Sequence, residues 1–245
     1  MDRPRLLLVP GISELEWQIK RELDEWADVA AYDPPGVGQG PGAWSIEASI
    51  DRGLKELDEH GWDDCVLVAD GWGSWYGVGI LQARPEALRG FALGHAALSA
   101  RMTGERAPLH GAVWDALSNL IGQGREQFAR FAIPQFTRDG YDEELAAEML
   151  ARIPMPTLEA MLEAGRKVEY DLEALLRPLE LPLLFAQHKN CLLFSDEGYA
   201  DAVAAFPEAR TCGMEKVCSV NPIFAKELRR FCEEIYASRP SARVP

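Results

Sequence analysis

The sequence predicts an α/β domain: a mostly parallel sheet of about six strands flanked by helices, with a helical block inserted between two of the strands. Three observations predict it. Short, continuous apolar runs recur with helical stretches between them, as expected of strands buried on both faces of a parallel sheet. Most of these runs close on Gly, Pro or Asp, residues that force a turn. Between residues 99 and 176 the alternation stops and only helical periodicity remains.

Leu6 to Val9 is the first run, closed by Pro10-Gly11, and a helix is expected from about Glu14 to Glu25. Val29 to Tyr32 gives a second strand, ending in the irregular loop Asp33-Pro34-Pro35-Gly36-Val37-Gly38. A helix from about Ser45 to His60 carries Ile46, Ile50, Leu54 and Leu57 at spacings of four and three, one apolar face for the sheet. Cys65 to Ala69 is the third strand, followed by Asp70-Gly71-Trp72-Gly73-Ser74 and a helix through about Ala83; Phe91 to Leu93 is the fourth, closing on Gly94-His95. Helices connecting strands at these separations imply right-handed crossovers. After the helical block, broken near Pro134 and at Pro154-Met155-Pro156, strand character returns at Leu183 to Ala186 and at Arg210 to Gly213, and an amphipathic helix runs from about Pro222 to Tyr236. Residues 1–98 and 177–245 are read as the core, and 99–176 as a helical lid inserted in the same domain.

Composition narrows the partners. A net charge of −14 over 245 residues, with acids spread along the helices and no dense Lys/Arg run, argues against nucleic acid. No apolar run approaches the roughly 20 residues that span a bilayer, so no membrane partner is expected. The start, Met1 to Gly11, runs straight into a strand and turn and is expected to be neither anchor nor signal peptide. Cys65, Cys191, Cys212, Cys218 and Cys232 are odd in number and lack metal-type spacing, which favours a reducing, cytoplasmic setting. No cofactor or metal is called for; homo-oligomerisation stays open.

Five segments together resemble the α/β-hydrolase family, in order along nearly the whole chain. Leu8-Val9-Pro10-Gly11 stands where that family has its HG turn, with Trp17 where many members have a Trp. Tyr32 to Gly38 resembles the D-x-P-G-x-G loop, Val66 to Gly73 the strand and turn of the nucleophile elbow, and Arg84-Pro85-Glu86-Ala87-Leu88-Arg89-Gly90 the link after it. The family's antiparallel edge hairpin has no counterpart before Leu6.

The elbow needs small residues on both sides of the nucleophile, because the turn presses against a neighbouring strand and helix. Ala69-Asp70-Gly71-Trp72-Gly73 satisfies this and puts Gly71 in the nucleophile slot, where there is no side chain to attack. Shifting the frame to Asp70 or Ser74 brings Trp72 onto a small-residue position. The resemblance implies an acid just past Leu183 to Ala186, where Asn190 stands, and a histidine between Gly213 and Pro222, where none occurs. Ordinary serine-hydrolase chemistry is therefore doubtful, and whether the chain is an enzyme stays open.

In a parallel sheet, ligands sit beyond the carboxyl ends of the strands. That rule selects Pro10, Gly11, Ile12, Asp70, Gly71, Trp72, His95, His188 and Cys191. Main-chain N–H groups at Ile12 and Trp72 match the family's oxyanion donors. His95 and His188 are candidate general bases, with Asp70 as an orienting carboxylate, set against the plainer reading of each histidine as bonded to a loop carbonyl. Cys191 is a candidate ligand contact. Trp17, Trp44, Trp72, Trp75, Trp114 and Phe128 supply aromatic surface, most of it expected in the core. Two functions follow. One is a triad-degenerate protein that binds a small apolar, carbonyl-bearing molecule under the lid. The other is a lyase, cyclase, isomerase or atypical esterase using His95 or His188 as acid/base with a main-chain oxyanion hole.

Overall fold

In the computed structural model of the chain, alternate residues of the central strands bury into opposite layers of the molecule. The structure describes residues 3–94, 99, 110–132, 143–188, 196–215 and 218–238. Six strands form one sheet: β1 (Arg5–Val9), β2 (Asp28–Ala31), β3 (Cys65–Ala69), β4 (Leu88–Gly94), β5 (Leu183–His188) and β6 (Arg210–Met214). Their order is β2-β1-β3-β4-β5-β6, every pair parallel. On one face Leu7, Val9, Leu67, Ala69, Phe91 and Phe185 pack in one core. On the other, Leu6, Leu8, Val66, Val68, Ala92 and Leu184 pack in a second. Burial on both sides is why the strands read as unbroken apolar runs.

Helices cover both faces. α1 (Lys20–Asp24) and α10 (Pro222–Ser238) lie over the second core, through Leu23 on one and Phe224, Leu228 and Phe231 on the other. α2 (Ile46–His60) and α3 (Gly73–Ala83) lie over the first, through Leu57, Tyr76 and Ile80. Ser45 caps α2 by accepting from the Ala48 N–H at 3.0 Å, and Gly61 ends it at φ +61°.

Between β4 and β5 come α4 (His110–Gly122), α5 (Arg125–Ala132), α6 (Glu143–Arg152), α7 (Met155–Gly165) and α8 (Leu172–Leu176). Trp114, Leu117, Phe128, Met149 and Leu158 join this inserted block to the first core. Ser99 bridges Asp171 in antiparallel fashion, joining the start of the insertion to the residue that caps α8. It is latched to the loop after β2: Arg152 pairs with Asp33 at 3.1 Å, Glu14 at 3.3 Å and Glu148 at 3.1 Å, its carbonyl accepts from the Gly38 N–H, and Thr157 donates to the Gly36 carbonyl.

Three expectations change. The helix expected over 14–25 is broken into a 3₁₀ turn at Glu14–Glu16 and the short α1, because the chain turns at Trp17 (ψ 62°). β4 begins at Leu88, not Phe91, since the Arg84–Gly90 link enters the sheet as soon as the Pro85–Ala87 turn ends. A helix absent from the sequence reading, α9 (Asp196–Ala205), connects β5 to β6. The expected break at Pro134 lies outside the described residues.

Candidate functional site

The carboxyl ends of β1 and β3 each lead into a turn, and the two turns touch. A side chain at Gly11 would come within 3.2 Å of the Trp72 nitrogen, and one at Gly73 within 2.3 Å of the Val9 carbonyl oxygen. At Gly73 only glycine permits this approach, and at Gly11 a side chain would be tight. Pro10, Gly11, Ile12, Asp70, Gly71 and Trp72, six of the selected residues, are thereby brought together.

At the β3 turn, Gly71 has φ +52°, and apart from its two chain neighbours no described residue lies within 4 Å of a Cβ built there. The backbone is in the left-handed conformation, with no side chain on it. Asp70 is 4% exposed. One carboxylate oxygen accepts from the Gly71 N–H at 2.8 Å and the other from the Ser219 N–H at 3.3 Å, so Asp70 ties the elbow to the loop before α10. The Ser219 carbonyl in turn accepts from the Ile19 N–H. Trp72 opens α3 and stacks with Trp75 and Trp114 at centroid separations of 6.0 and 6.4 Å, joining the elbow to the insertion.

At the β1 turn stands a residue that the sequence reading passed over. Glu16, 2% exposed, turns its carboxyl back over the turn: one oxygen accepts from the Gly11 N–H and the other from the Ile12 N–H at 3.0 Å. The Ser13 N–H faces the same carboxyl. Ser13 caps the 3₁₀ turn by accepting from the Leu15 N–H, so Ser13-x-x-Glu16 is a capping box, in which the acid reaches back to the main chain ahead of it. That signal was present in the sequence. The Ile12 N–H, expected as a free oxyanion donor, is thus already engaged.

Two effects oppose each other on Glu16. Main-chain N–H groups favour its ionised form, whereas burial disfavours it. Burial wins and, with the nearby Asp70 charge adding to it, pushes the Glu16 carboxyl up to about 8. No Lys, Arg or His among the described residues offsets this. Tyr76, on α3, also faces the acid; burial raises it further, and its hydroxyl accepts from the Trp44 indole at 3.1 Å.

Beneath the insertion a small cavity is lined by Ile12, Arg125, Phe128, Met149, Ile153 and Leu158 among others. At about 10 Å³ it is at the lower limit for one water. Of the aromatic residues considered above, Phe128 lines it. Trp17, Trp72, Trp75 and Trp114 are buried in the two cores.

The remaining candidates are not brought into the site by the described structure. His95 and Cys191 lie outside the described residues. His188 does not follow the fifth strand but ends it, paired in register with Met214, and its side chain is likewise outside the description. Among the described residues no three His, Cys, Asp or Glu side chains form a metal-binding group. Cys65, Cys212 and Cys232 are buried and unpaired.

Solved structures share this architecture from end to end. A carboxylesterase of the thaumarchaeon Nitrososphaera gargenis superposes with a TM-score of 0.69 over 97% of this chain and 92% of its own, at 14% identity. The enol-lactonase of Burkholderia xenovorans gives 0.70 over 97% and 93%, at 16% identity. A haloalkane dehalogenase variant from Bradyrhizobium elkanii gives 0.75 over 96% and 90%, also at 16% identity. The chain has the α/β-hydrolase fold. The expectation of a mostly parallel sheet of about six strands holds. At these identities the likeness is one of fold. No protein-family model and no curated protein sequence matches the chain. No helix among the described residues is long and apolar enough to cross a membrane.

Proposed function

We propose that this α/β-hydrolase-fold chain does not carry out nucleophilic hydrolysis, and that it binds a small apolar, carbonyl-bearing molecule between the sheet and the inserted helices, which act as a lid. The observation that carries the reading is Gly71: the elbow keeps its left-handed backbone at φ +52° while offering no attacking atom. Asp70, the nearest carboxylate, is held by two main-chain N–H groups. The apolar lining of the cavity beside Ile12 supports an apolar ligand, and a ligand larger than water requires the inserted helices to part. The setting is read as cytoplasmic. Purified protein is expected to resist fluorophosphonate labelling and to leave p-nitrophenyl acetate unhydrolysed above background. Ester hydrolysis that Gly71→Ala leaves intact and His95→Ala abolishes would overturn the reading.

A second reading, an enzyme that moves protons without a covalent nucleophile, is favoured by one observation: the Glu16 carboxyl, pushed up to about 8, holds a proton at neutral pH. In it His95 or His188 remains a candidate partner base.

A further inference from the structure

We propose that Arg125 anchors the carboxylate of a small apolar carboxylic acid in the cavity beneath the inserted helices. The proposal rests on the binding reading above and narrows its carbonyl-bearing ligand to a monoanion.

The wall of that cavity is apolar but for one side chain. Ile12 closes it from the β1 turn, and Phe128, Met149, Ile153 and Leu158 close it from the insertion. Arg125, the first residue of α5, is the one charged side chain among the described residues that line it. Its guanidinium is fixed at one end, where Nη2 donates to the Ile153 carbonyl at 2.7 Å. Ile153 follows directly on Arg152, so the stretch that latches the insertion to Asp33 also holds Arg125. The residue as a whole is partly exposed, but its Nε is sealed from solvent and has no hydrogen-bond partner.

That unused donor points to a ligand. A buried N–H without an acceptor costs about as much as a lost hydrogen bond, and this one belongs to a cation. Other arginines of the chain meet acids: Arg52 pairs with Glu56, Arg84 with Asp58, Arg152 with Asp33 and Arg210 with Glu234. Arg125, in a chain with 39 acidic residues, has among the described residues a carbonyl as its partner and no carboxylate. A ligand carboxylate supplies both the acceptor and the opposite charge, in a bond roughly twice as strong as a neutral one. A neutral ketone fills the donor and leaves the charge unmatched. A phosphate, with more charge and more acceptor oxygens, asks for more donors than this apolar wall presents. The remainder of the acid is therefore apolar, lying against Phe128, Met149 and Leu158. A cavity of about 10 Å³ holds no more than a water, so the acid enters as the inserted helices part.

Sodium octanoate and octan-2-one, matched in chain length, are the probes, each titrated calorimetrically into the whole protein. Wild-type protein is expected to bind octanoate about tenfold or more tightly than octan-2-one, and Arg125→Met to lose that preference while still binding the ketone. In ¹⁵N-arginine-labelled protein, octanoate is expected to shift one Nε–H resonance, the one missing from Arg125→Lys. Equal affinity of wild-type protein for the two probes, or octanoate bound without a shift of that resonance, overturns the anchor and leaves the binding reading standing. Binding of neither probe overturns both. If either variant fails to fold, the comparison of the two probes on wild-type protein decides alone.

Discussion

The turn after β1 and the turn after β3 lie against each other at one end of the sheet, and they are filled in opposite ways. The β1 turn has main-chain donors, and a carboxyl of the same chain occupies them. The β3 turn has a left-handed backbone at Gly71, and no side chain stands on that residue. The elbow's shape is set by close packing of small residues around it and does not depend on a nucleophile. The occupied turn depends on its occupant, because two buried N–H groups there have no other partner given by the structure. One turn can lose its side chain at little cost, whereas the other cannot.

The contact that holds the turns together is the first place to break this contrast. In Gly73→Ala the new methyl would lie 2.3 Å from the Val9 carbonyl oxygen and 3.0 Å from the Pro10 carbonyl carbon, both backbone atoms that cannot swing aside. A loss of about 3 kcal/mol in urea unfolding, or failure to fold, is expected. Next comes the occupant itself. Glu16→Ala leaves the Gly11 and Ile12 N–H groups buried and unbonded, and should cost about 2 to 3 kcal/mol.

The same residue predicts an inverted pH dependence. Unfolded, the Glu16 carboxyl titrates near 4.5; folded, burial pushes it up to about 8. Between these values the folded state holds one proton more than the unfolded state, so its contribution is complete below 4.5 and is lost as pH rises through 8. Stability should fall across that window by roughly 1.4 kcal/mol per pH unit from this group, and Glu16→Gln should remove the slope. Unfolding titrations of the two proteins from pH 5 to about 8 check it; a wild-type slope unchanged in the variant would place Glu16's proton elsewhere.

Glu16 also marks where the sequence was legible and where it was not. The sheet was readable because its central strands are buried on both faces: Leu6 to Val9, Cys65 to Ala69 and Leu183 to Ala186 carry no polar interruption. The elbow was readable because its small residues are demanded by contact distances, as Gly73 against Val9 shows. Glu16 was hidden by periodicity. Inside a helix expected from Glu14 to Glu25, an acid between Leu15 and Trp17 reads as one more solvated side chain. Only the capping-box spacing from Ser13 indicated a carboxyl turned inward, and the break at Trp17 that completes the turn is a tertiary effect. α9 was missed for a similar reason. Tyr199 and Val203 are only half-buried, Ala202 is small, and the apolar stripe is too weak to stand out.

A smaller effect is expected at the latch between the insertion and the core. Arg152 is about one-quarter exposed and its partner Asp33 is buried, so Arg152→Ala should cost about 1 to 2 kcal/mol, less than a fully buried pair. Its readout is local: faster amide exchange across α6 and α7, with β1 and β3 unchanged. If exchange rose equally in the sheet, the insertion would be part of the core's cooperative unit and not a lid over it.

The smallest stability change should come from refilling the vacant turn. Gly71→Ser places its Cβ where, its chain neighbours aside, no described residue lies within 4 Å, so the expected cost is that of holding a non-glycine residue at φ +52°, about 1 kcal/mol. The hydroxyl would then stand at the tip of a correctly shaped elbow. Fluorophosphonate labelling is still expected to be absent, because an elbow serine is inert without a base to take its proton. The stretch from Gly213 to Asn221, where the resemblance to the α/β-hydrolase family implies a histidine, has none, and Asp70 is bound to Gly71 and Ser219. Labelling of Gly71→Ser at a rate well above the unfolded control would mean that a base already waits at this end of the sheet. The vacancy at Gly71 would then be a single missing atom group in an otherwise live hydrolase site, and the contrast between the two turns would rest on one substitution instead of on a change of chemistry.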